Sequence, residues 1–437
     1  MTTSLGPSLD TPAYRALRSR FQPLLEQIAA GALARERAGE LPAEPMEALK
    51  RTGFGALRVP EPYGGGGVDL VELTALWIDL AAADSNLSQA LRGHFALAED
   101  RAWQHARGMD QKVWFDRFVA GEIAGNAWTE VGATPMGGLN TVAAAADDGY
   151  AVTGQKYYTT GSIFAEWADV YARRVTPDGA EDLVIALVDL RHPGASVSDD
   201  WDGFGQRGTG SGTTTFDAVP AVEVIPFTDR FPYQTAFYQL NLLATLAGIG
   251  RAALTETVGQ VRGRSRNYSH ANAARVRDDP QVLARVGQVQ AKAYAAEATA
   301  LRVASALQRV FDGAAGSDQE IERLNEAAEL ESAAAQVVVT DLVLDATTVL
   351  FDTLGASATS VSLGLDRHWR NARTVASHNP RILKERVVGD FLVNGTPPPY
   401  AWAIGTTVRE AGGGASRDAA STRGERPCLS PPRPKHA

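Results

Sequence analysis

The sequence predicts an α+β, mainly α chain in three successive parts: an N-terminal helical domain, a central β-barrel-like domain and a C-terminal domain built like a four-helix bundle. Three observations carry that prediction. Ala-rich helical periodicity runs from about residue 12 to 119 and resumes from about 231 to 377. Between 124 and 220 lie short Val-, Tyr-, Thr- and Ile-rich runs bounded by Asp and Gly turns, such as Ala151-Val152-Thr153 and Leu183 to Val188. The expected domains are 12–123, 124–230 and 231–411, followed by a disordered tail, 412–437.

In the first part, Leu17, Phe21, Leu24 and Ile28 recur at helical spacing, with breaks expected near Pro42 and Gly53. Gly64 to Gly67 could suggest a phosphate cradle. No Gly-Lys-Ser/Thr follows it, however, and Pro60 and Pro62 point to a turn before a helix from Val68 to about Ala83. Asp84-Ser85-Asn86 can cap a further helix through Arg92, Gly93 and His94. His94, among Leu91, Phe95 and Leu97, is either an ordinary helix histidine or a pocket residue.

In the middle part, Gly203-Phe204-Gly205-Gln206-Arg207-Gly208 fits the dinucleotide pattern only as a string. The β-branched run from Thr213 to Phe216 follows where that motif needs a helix N-terminus. A tight loop feeding a strand is expected instead. In the last part, Asp279 as N-cap with Pro280 behind it starts a long helix. Its apolar face includes Val289, Ala293, Ala296, Ala300, Ala304 and Leu307, and Gly313 stops it. Ser317 with Glu320 then forms a capping-box pattern.

A chain of 437 residues with 44% hydrophobic content can bury a large core. Its net charge of −9 argues against nucleic acid or an anionic membrane as partner, since both need clustered Lys and Arg. No run is expected to reach the roughly 18 to 20 apolar residues of a membrane span, and no export signal is read at the N-terminus, so a cytoplasmic protein is expected. Cys428, the only cysteine, lies in the Gly/Ser/Arg/Pro-rich tail, so neither an internal disulfide nor a metal site is expected.

Four phrases in order, Val59-Pro60-Glu61-Pro62-Tyr63-Gly64-Gly65, Trp128-Thr129-Glu130, Gly154-Gln155-Lys156 and Arg370-Asn371-Ala372-Arg373, resemble the acyl-CoA dehydrogenase superfamily over roughly residues 12 to 400. The resemblance implies that family's fold, with a flavin held between barrel and bundle. It places Thr129 and Thr160 on the isoalloxazine, Trp128 and Tyr158 beside it, and Arg275 on the flavin phosphate. Threonine hydroxyls can both donate and accept, as ring carbonyl and ring N–H require.

The chain departs from the dehydrogenases after Arg373. Their carboxylate base is missing from Thr374 to Pro380, and Glu256 is the possible substitute in the alternative reading of an acyl-CoA dehydrogenase with a displaced base. Ser377-His378-Asn379-Pro380, with Lys156 to Ser162 and Gly210 to Thr214, resembles instead the reduced-flavin-dependent monooxygenase branch. That branch implies a separate flavin reductase, oxygen addition at flavin C4a, and a hydroperoxide that oxygenates sulfur or nitrogen of a small organic substrate.

His378, Ser162 and Asn126 match catalytic positions of that branch, and Asn379 a cofactor-binding one. A histidine with its ordinary pKa near 6.5 could give or take a proton at neutral pH, although His378 could also simply end a helix. Reduced FMN is the expected cofactor and FAD the alternative, because Leu354-Gly355-Ala356-Ser357 is a poor match for a diphosphate turn. Substrate-pocket candidates are His94 and Trp201, and a homotetramer is implied.

Overall fold

The computed structural model describes residues 9–130 and 139–400; Val131 to Thr134 and the tail with Cys428 lie outside the described residues. Six helices come first: α1 (Pro12–Ala38), α2 (Ala43–Arg51), α3 (Leu70–Ala83), α4 (Ser85–Ala90), α5 (Arg92–Ala106) and α6 (Lys112–Val119). Their ends follow the local chemistry. The Thr11 hydroxyl accepts from Tyr14 N–H at the start of α1, and Gly39 closes that helix in the left-handed region at φ +67°. Asp69 caps α3, which therefore begins at Leu70 rather than at the expected Val68.

The glycine run is a turn. The Gly66, Gly67 and Val68 amides donate to Ala56, Val59 and Leu57 carbonyls, so these three donors are committed within the protein and not offered to a phosphate.

Seven strands follow: β1 (Ala124–Ala127), β2 (Val142–Ala146), β3 (Gly149–Lys156), β4 (Trp167–Val175), β5 (Glu181–Asp189), β6 (Ala195–Val197) and β7 (Thr214–Pro226). Pairing runs β4-β2-β3-β7-β5 and returns from β5 to β4, which closes a barrel. Strand β1 adds in parallel to β4, from Ala124 opposite Trp167 to Ala127 opposite Val170. Val152, Val170, Val184, Ala186, Phe216 and Val219 fill the interior. Residues 202–208 form a loop between β6 and β7, not a helix-bound nucleotide motif.

The last part comprises α7 (Gln234–Gly263), α8 (Pro280–Asp312), α9 (Asp318–Val349), α10 (Asp366–Ala376) and α11 (Arg381–Asn394). The Asp279 and Ser317 caps form as the sequence predicts. Helix α3 is buried almost throughout and packs on α1, α7 and α8, which joins the two helical blocks. One expectation needs correction. The stretch Asp318–Thr353 is long and apolar enough, by length and composition, to cross a membrane. Here α9 packs against α7, α8, α10 and α11, the setting of a bundle core helix.

A buried ion pair ties the barrel to the segment after β1. Lys156 Nζ donates to Glu130 Oε1 at 2.8 Å and to the Trp128 carbonyl at 3.2 Å, while the Glu130 carboxylate accepts from the Asn140 and Thr141 amides. Lys156→Met leaves that buried carboxylate without its cation and is expected to lower stability by about 3 to 5 kcal/mol in urea unfolding. A loss below about 1 kcal/mol would show that water replaces the lysine there.

Candidate active site

Three glycines let the N-terminal helices, the barrel and its connecting turn meet backbone to backbone. A Cβ on Gly93, at the start of α5, would lie 2.9 Å from the Asn126 nitrogen in β1. A Cβ on Gly125 would lie 2.2 Å from Ser162 Oγ, and one on Gly161, at φ +81°, 2.1 Å from the Ala90 carbonyl oxygen. No other residue type fits these gaps without displacing backbone. The contact surface between α4–α5, β1 and the turn 158–162 is thereby fixed.

Around this contact several polar side-chain atoms have no partner among the described residues. Asn126 Oδ1, Ser162 Oγ, Gln89 Oε1, Asn241 Oδ1, Tyr238 Oη and Arg92 Nε are buried and make no hydrogen bond among the described residues. Native interiors leave few such groups, so a cluster of them marks a place for a ligand or water.

The Arg92 guanidinium lies over the Tyr238 ring, 5.1 Å from its centroid, and donates through Nη2 to His378 Nε2 at 3.0 Å. Because a guanidinium only donates, Nε2 must accept, and the proton of the neutral ring sits on Nδ1, 3.5 Å from Asn379 Oδ1. Surrounding protein, and then Arg92, hold His378 well below its ordinary pKa, although the residue keeps solvent-accessible surface. His378 is exposed, so its neutrality rests on Nε2 accepting from Arg92, an arrangement that a protonated ring, with both nitrogens donating, could not make. Asn379 is held by Gln239 at 2.8 Å and by Gln336, which fixes the end of α10 against α7 and α9.

The barrel side of this cluster carries the aromatic candidates. Trp128 packs 5.3 Å from Tyr238 between ring centroids, and its Nε1 donates to Asp169 Oδ1 at 2.7 Å. Asp169 is in turn paired with the buried Arg230. Thr129 bridges Tyr157 through its backbone. Thr160 is buried, and its hydroxyl shares a 2.8 Å hydrogen bond with Ser211, so part of its capacity is already used. Tyr158 is 51% exposed and holds φ +59°, a costly conformation for an aromatic residue and one that marks functional turns. Its ring meets the edge of Trp201 at 5.6 Å. Helix α10 secures this rim, since Asn371 Oδ1 accepts from the Gln206 amide at 2.6 Å and Arg370 Nη1 donates to the Phe204 carbonyl.

Three expected residues stand elsewhere. His94 is fully buried, with Nε2 donating to the Gly55 carbonyl at 2.8 Å and Nδ1 accepting from Ala124 N–H at 3.3 Å. Burial pushes its pKa down to about 4. Both nitrogens are occupied, so it is a neutral structural histidine and not a pocket residue.

Glu256 is paired with Arg367 and His368. Those partners, working against burial, take its pKa to about 2, where it has no use as a base. It also lies on α7 roughly 27 Å along the helix from Tyr238. Arg275 is exposed, bonded to Asp278, and follows the far end of α7, roughly 36 Å of helix beyond Gln239.

The sequence reading missed Arg92 and Tyr238. An arginine in an apolar helix with no acid three or four residues away is one signal for such a site. Another is the polar stripe Tyr238, Asn241 and Thr245 on a buried helix.

Fold and site together define a helix–barrel–helix protein with a cluster of buried, unpartnered polar atoms where the barrel meets both helical blocks. The chain belongs to the acyl-CoA dehydrogenase superfamily, whose N-terminal, middle and C-terminal domain descriptions match residues 11–122, 125–219 and 241–380. It is 26% identical to dibenzothiophene monooxygenase of Mycolicibacterium goodii, over 82% of this chain and 89% of that one. It is 28% identical to the probable FMNH2-dependent monooxygenase SfnC of Pseudomonas putida, over 90% and 98%. The solved structure of TdsC from Paenibacillus sp. A11-2 with FMN and indole matches at a TM-score of 0.78 and 29% identity, covering 89% of this chain and 99% of that one.

Two outcomes are expected from this geometry. Gly161→Ala is expected to cost about 3 kcal/mol, from a left-handed alanine plus a clash with the Ala90 carbonyl, readable in chemical unfolding; an unchanged midpoint would show that the turn moves aside. For Glu256, a folded pKa below the unfolded value of 4.5 gives stability that is present above that value and lost as pH falls toward about 2. The wild-type advantage over Glu256→Gln, about 1 to 2 kcal/mol at neutral pH for a partly exposed pair, should therefore shrink steadily below about pH 5.

Proposed function

We propose that this chain is a reduced-FMN-dependent monooxygenase that oxygenates a sulfur or nitrogen atom of a small organic substrate. The observation that carries this reading is the cluster of unpartnered buried polar groups joining Asn126 and Ser162 of the barrel side to Arg92, Tyr238 and His378. Those groups fit an isoalloxazine edge and a substrate. The one carboxylate weighed as a dehydrogenase base, Glu256, is neutralised elsewhere. The similarity to FMNH2-dependent and dibenzothiophene monooxygenases supports the same reading.

When bound, reduced FMN from a separate reductase would supply two electrons for oxygen activation at its C4a, with one oxygen atom passing to substrate and the other leaving as water. The protein's own tasks follow from its side chains. Trp128 and Tyr158 flank the flavin site, and Thr129, Thr160, Asn126 and Ser162 supply hydrogen bonds from the barrel side. The neutral His378, its tautomer set by Arg92, presents Nδ1–H as a fixed donor. Loop 204–208, clamped by α10, keeps bulk water from the rim. Arg275 is too distant to serve this site from within one chain. A homotetramer belongs to this proposal, because Leu283, Tyr294, Ile382 and Leu392 on α8 and α11 are exposed apolar surface that further copies would cover.

His378→Ala tests the assignment. Reduced-FMN binding should stay nearly unchanged, product formation should fall by about 10² to 10⁴, and hydrogen peroxide released per oxygen consumed should rise in step. If His378 merely ends α10, turnover and the peroxide ratio stay as they were, and the residue leaves the mechanism. Because its pKa is held low, wild-type coupling should show no inflection attributable to His378 between about pH 6 and 8; its appearance there would mean a protonated imidazole.

A further inference from the structure

Arg92 stands apart from the other buried arginines among the described residues. Arg58 is paired with Glu99, Arg230 with Asp169, Arg101 with Asp100 and Glu223, and Lys156 with Glu130. Among the described residues no carboxylate pairs with Arg92. Its recorded partners are a neutral imidazole and an aromatic face, and its Nε makes no hydrogen bond. An isolated buried cation is among the costliest groups a fold can hold, so proteins retain one where an anion completes it.

Beside it, Tyr238 Oη is also unpaired, and burial raises that phenol far above its usual pKa, so it remains a proton donor. A guanidinium edge and a phenol on one wall form a donor set suited to an oxyanion.

We propose that Arg92 anchors a negatively charged group of the substrate, so that the molecule oxygenated is a compact organic anion of the sulfinate or carboxylate type and not a neutral heterocycle. This deepens, and rests on, the monooxygenase reading. It assigns Arg92 and Tyr238 to specificity: Arg92 supplies charge and Tyr238 a second hydrogen bond to the anion's oxygens, which in a sulfinate leaves the sulfur lone pair free to take the oxygen atom, beside the His378 that Arg92 contacts. The packing between α4 and α7 close by is polar too, the Ser88 and Thr245 hydroxyls bonding at 3.0 Å and Asn241 Nδ2 donating to the Ser88 carbonyl, surroundings better suited to a small polar body than to an extended apolar ring.

The test is equilibrium binding without oxygen or turnover, using two matched pairs: methanesulfinate against dimethyl sulfoxide, and benzenesulfinate against methyl phenyl sulfoxide. Calorimetry on the full chain should show each anion binding at least about 10²-fold more tightly than its neutral partner. Arg92→Met should bring that ratio to within about threefold, and Arg92→Lys should keep part of it. The same anions should raise the unfolding midpoint of the wild type and leave that of Arg92→Met unmoved, which separates lost binding from lost folding.

Equal binding of anion and neutral partner by the wild type overturns the proposal, as does an unchanged ratio in Arg92→Met. An Arg92→Met protein that keeps its anion preference and loses affinity for reduced FMN assigns the arginine to the flavin and overturns the proposal too. Anion binding through Arg92 in a protein that oxygenates nothing would sink the monooxygenase reading and leave the anion site standing.

Discussion

Backbone contact at Gly93, Gly125 and Gly161 is the constraint on which the site depends. Side chains bend and swap rotamers, but a carbonyl oxygen 2.1 Å from where a Cβ would stand cannot yield without moving its strand or helix. The separation of α5 from β1 is thus set by main chain alone. Asn126, Ser162 and Arg92 inherit positions no softer than the backbone that carries them, which is what a site needs if it is to hold a planar ring and a reacting atom in register.

Around that frame the interior charges are arranged in closed pairs. Asp169 shows how one such pair serves the site, since it accepts from Trp128 Nε1 while neutralising Arg230. The Trp128 indole is therefore held at both ends, by its N–H and by its packing on Tyr171, Phe227 and Tyr238. Arg92 differs in kind. Its donor-only chemistry fixes the protonation pattern of His378 with no carboxylate involved, the reverse of the usual carboxylate–histidine arrangement.

Much of the fold was legible in the sequence because its signals are local. Asp69, Asp279 and Ser317 cap helices through their own side chains, and Gly39 and Gly313 end them. Strand β5 reads as a Val/Ile/Leu run because its buried face is continuous. The resemblance supplied Asn126, Trp128, Ser162 and His378 as positions, and the structure brings them near Arg92 and Tyr238.

It failed where the deciding partner is distant or is backbone. His94 is satisfied by the Gly55 carbonyl and the Ala124 amide, groups every residue possesses and no motif records. Glu256 is neutralised from 111 residues away by Arg367. Arg92 gains meaning only beside Tyr238 and His378, which the sequence places in another domain.

The clamp of α10 on the loop before β7 bears on how the chain acquires its structure. Gln206 waits 165 residues for Asn371, and Arg92 waits 286 for His378. Pairings of such long sequence separation form late, because the loop entropy they consume is recovered only when both ends are already ordered. During synthesis the barrel can close while its 202–208 loop still lacks its final support. The site acquires its shape only after the C-terminal helices have emerged and docked. A chain interrupted before residue 371 would hold a sound barrel and a solvated Arg92, and it would present newly translated α7 and α9 faces to whatever chaperone or sister chain met them first.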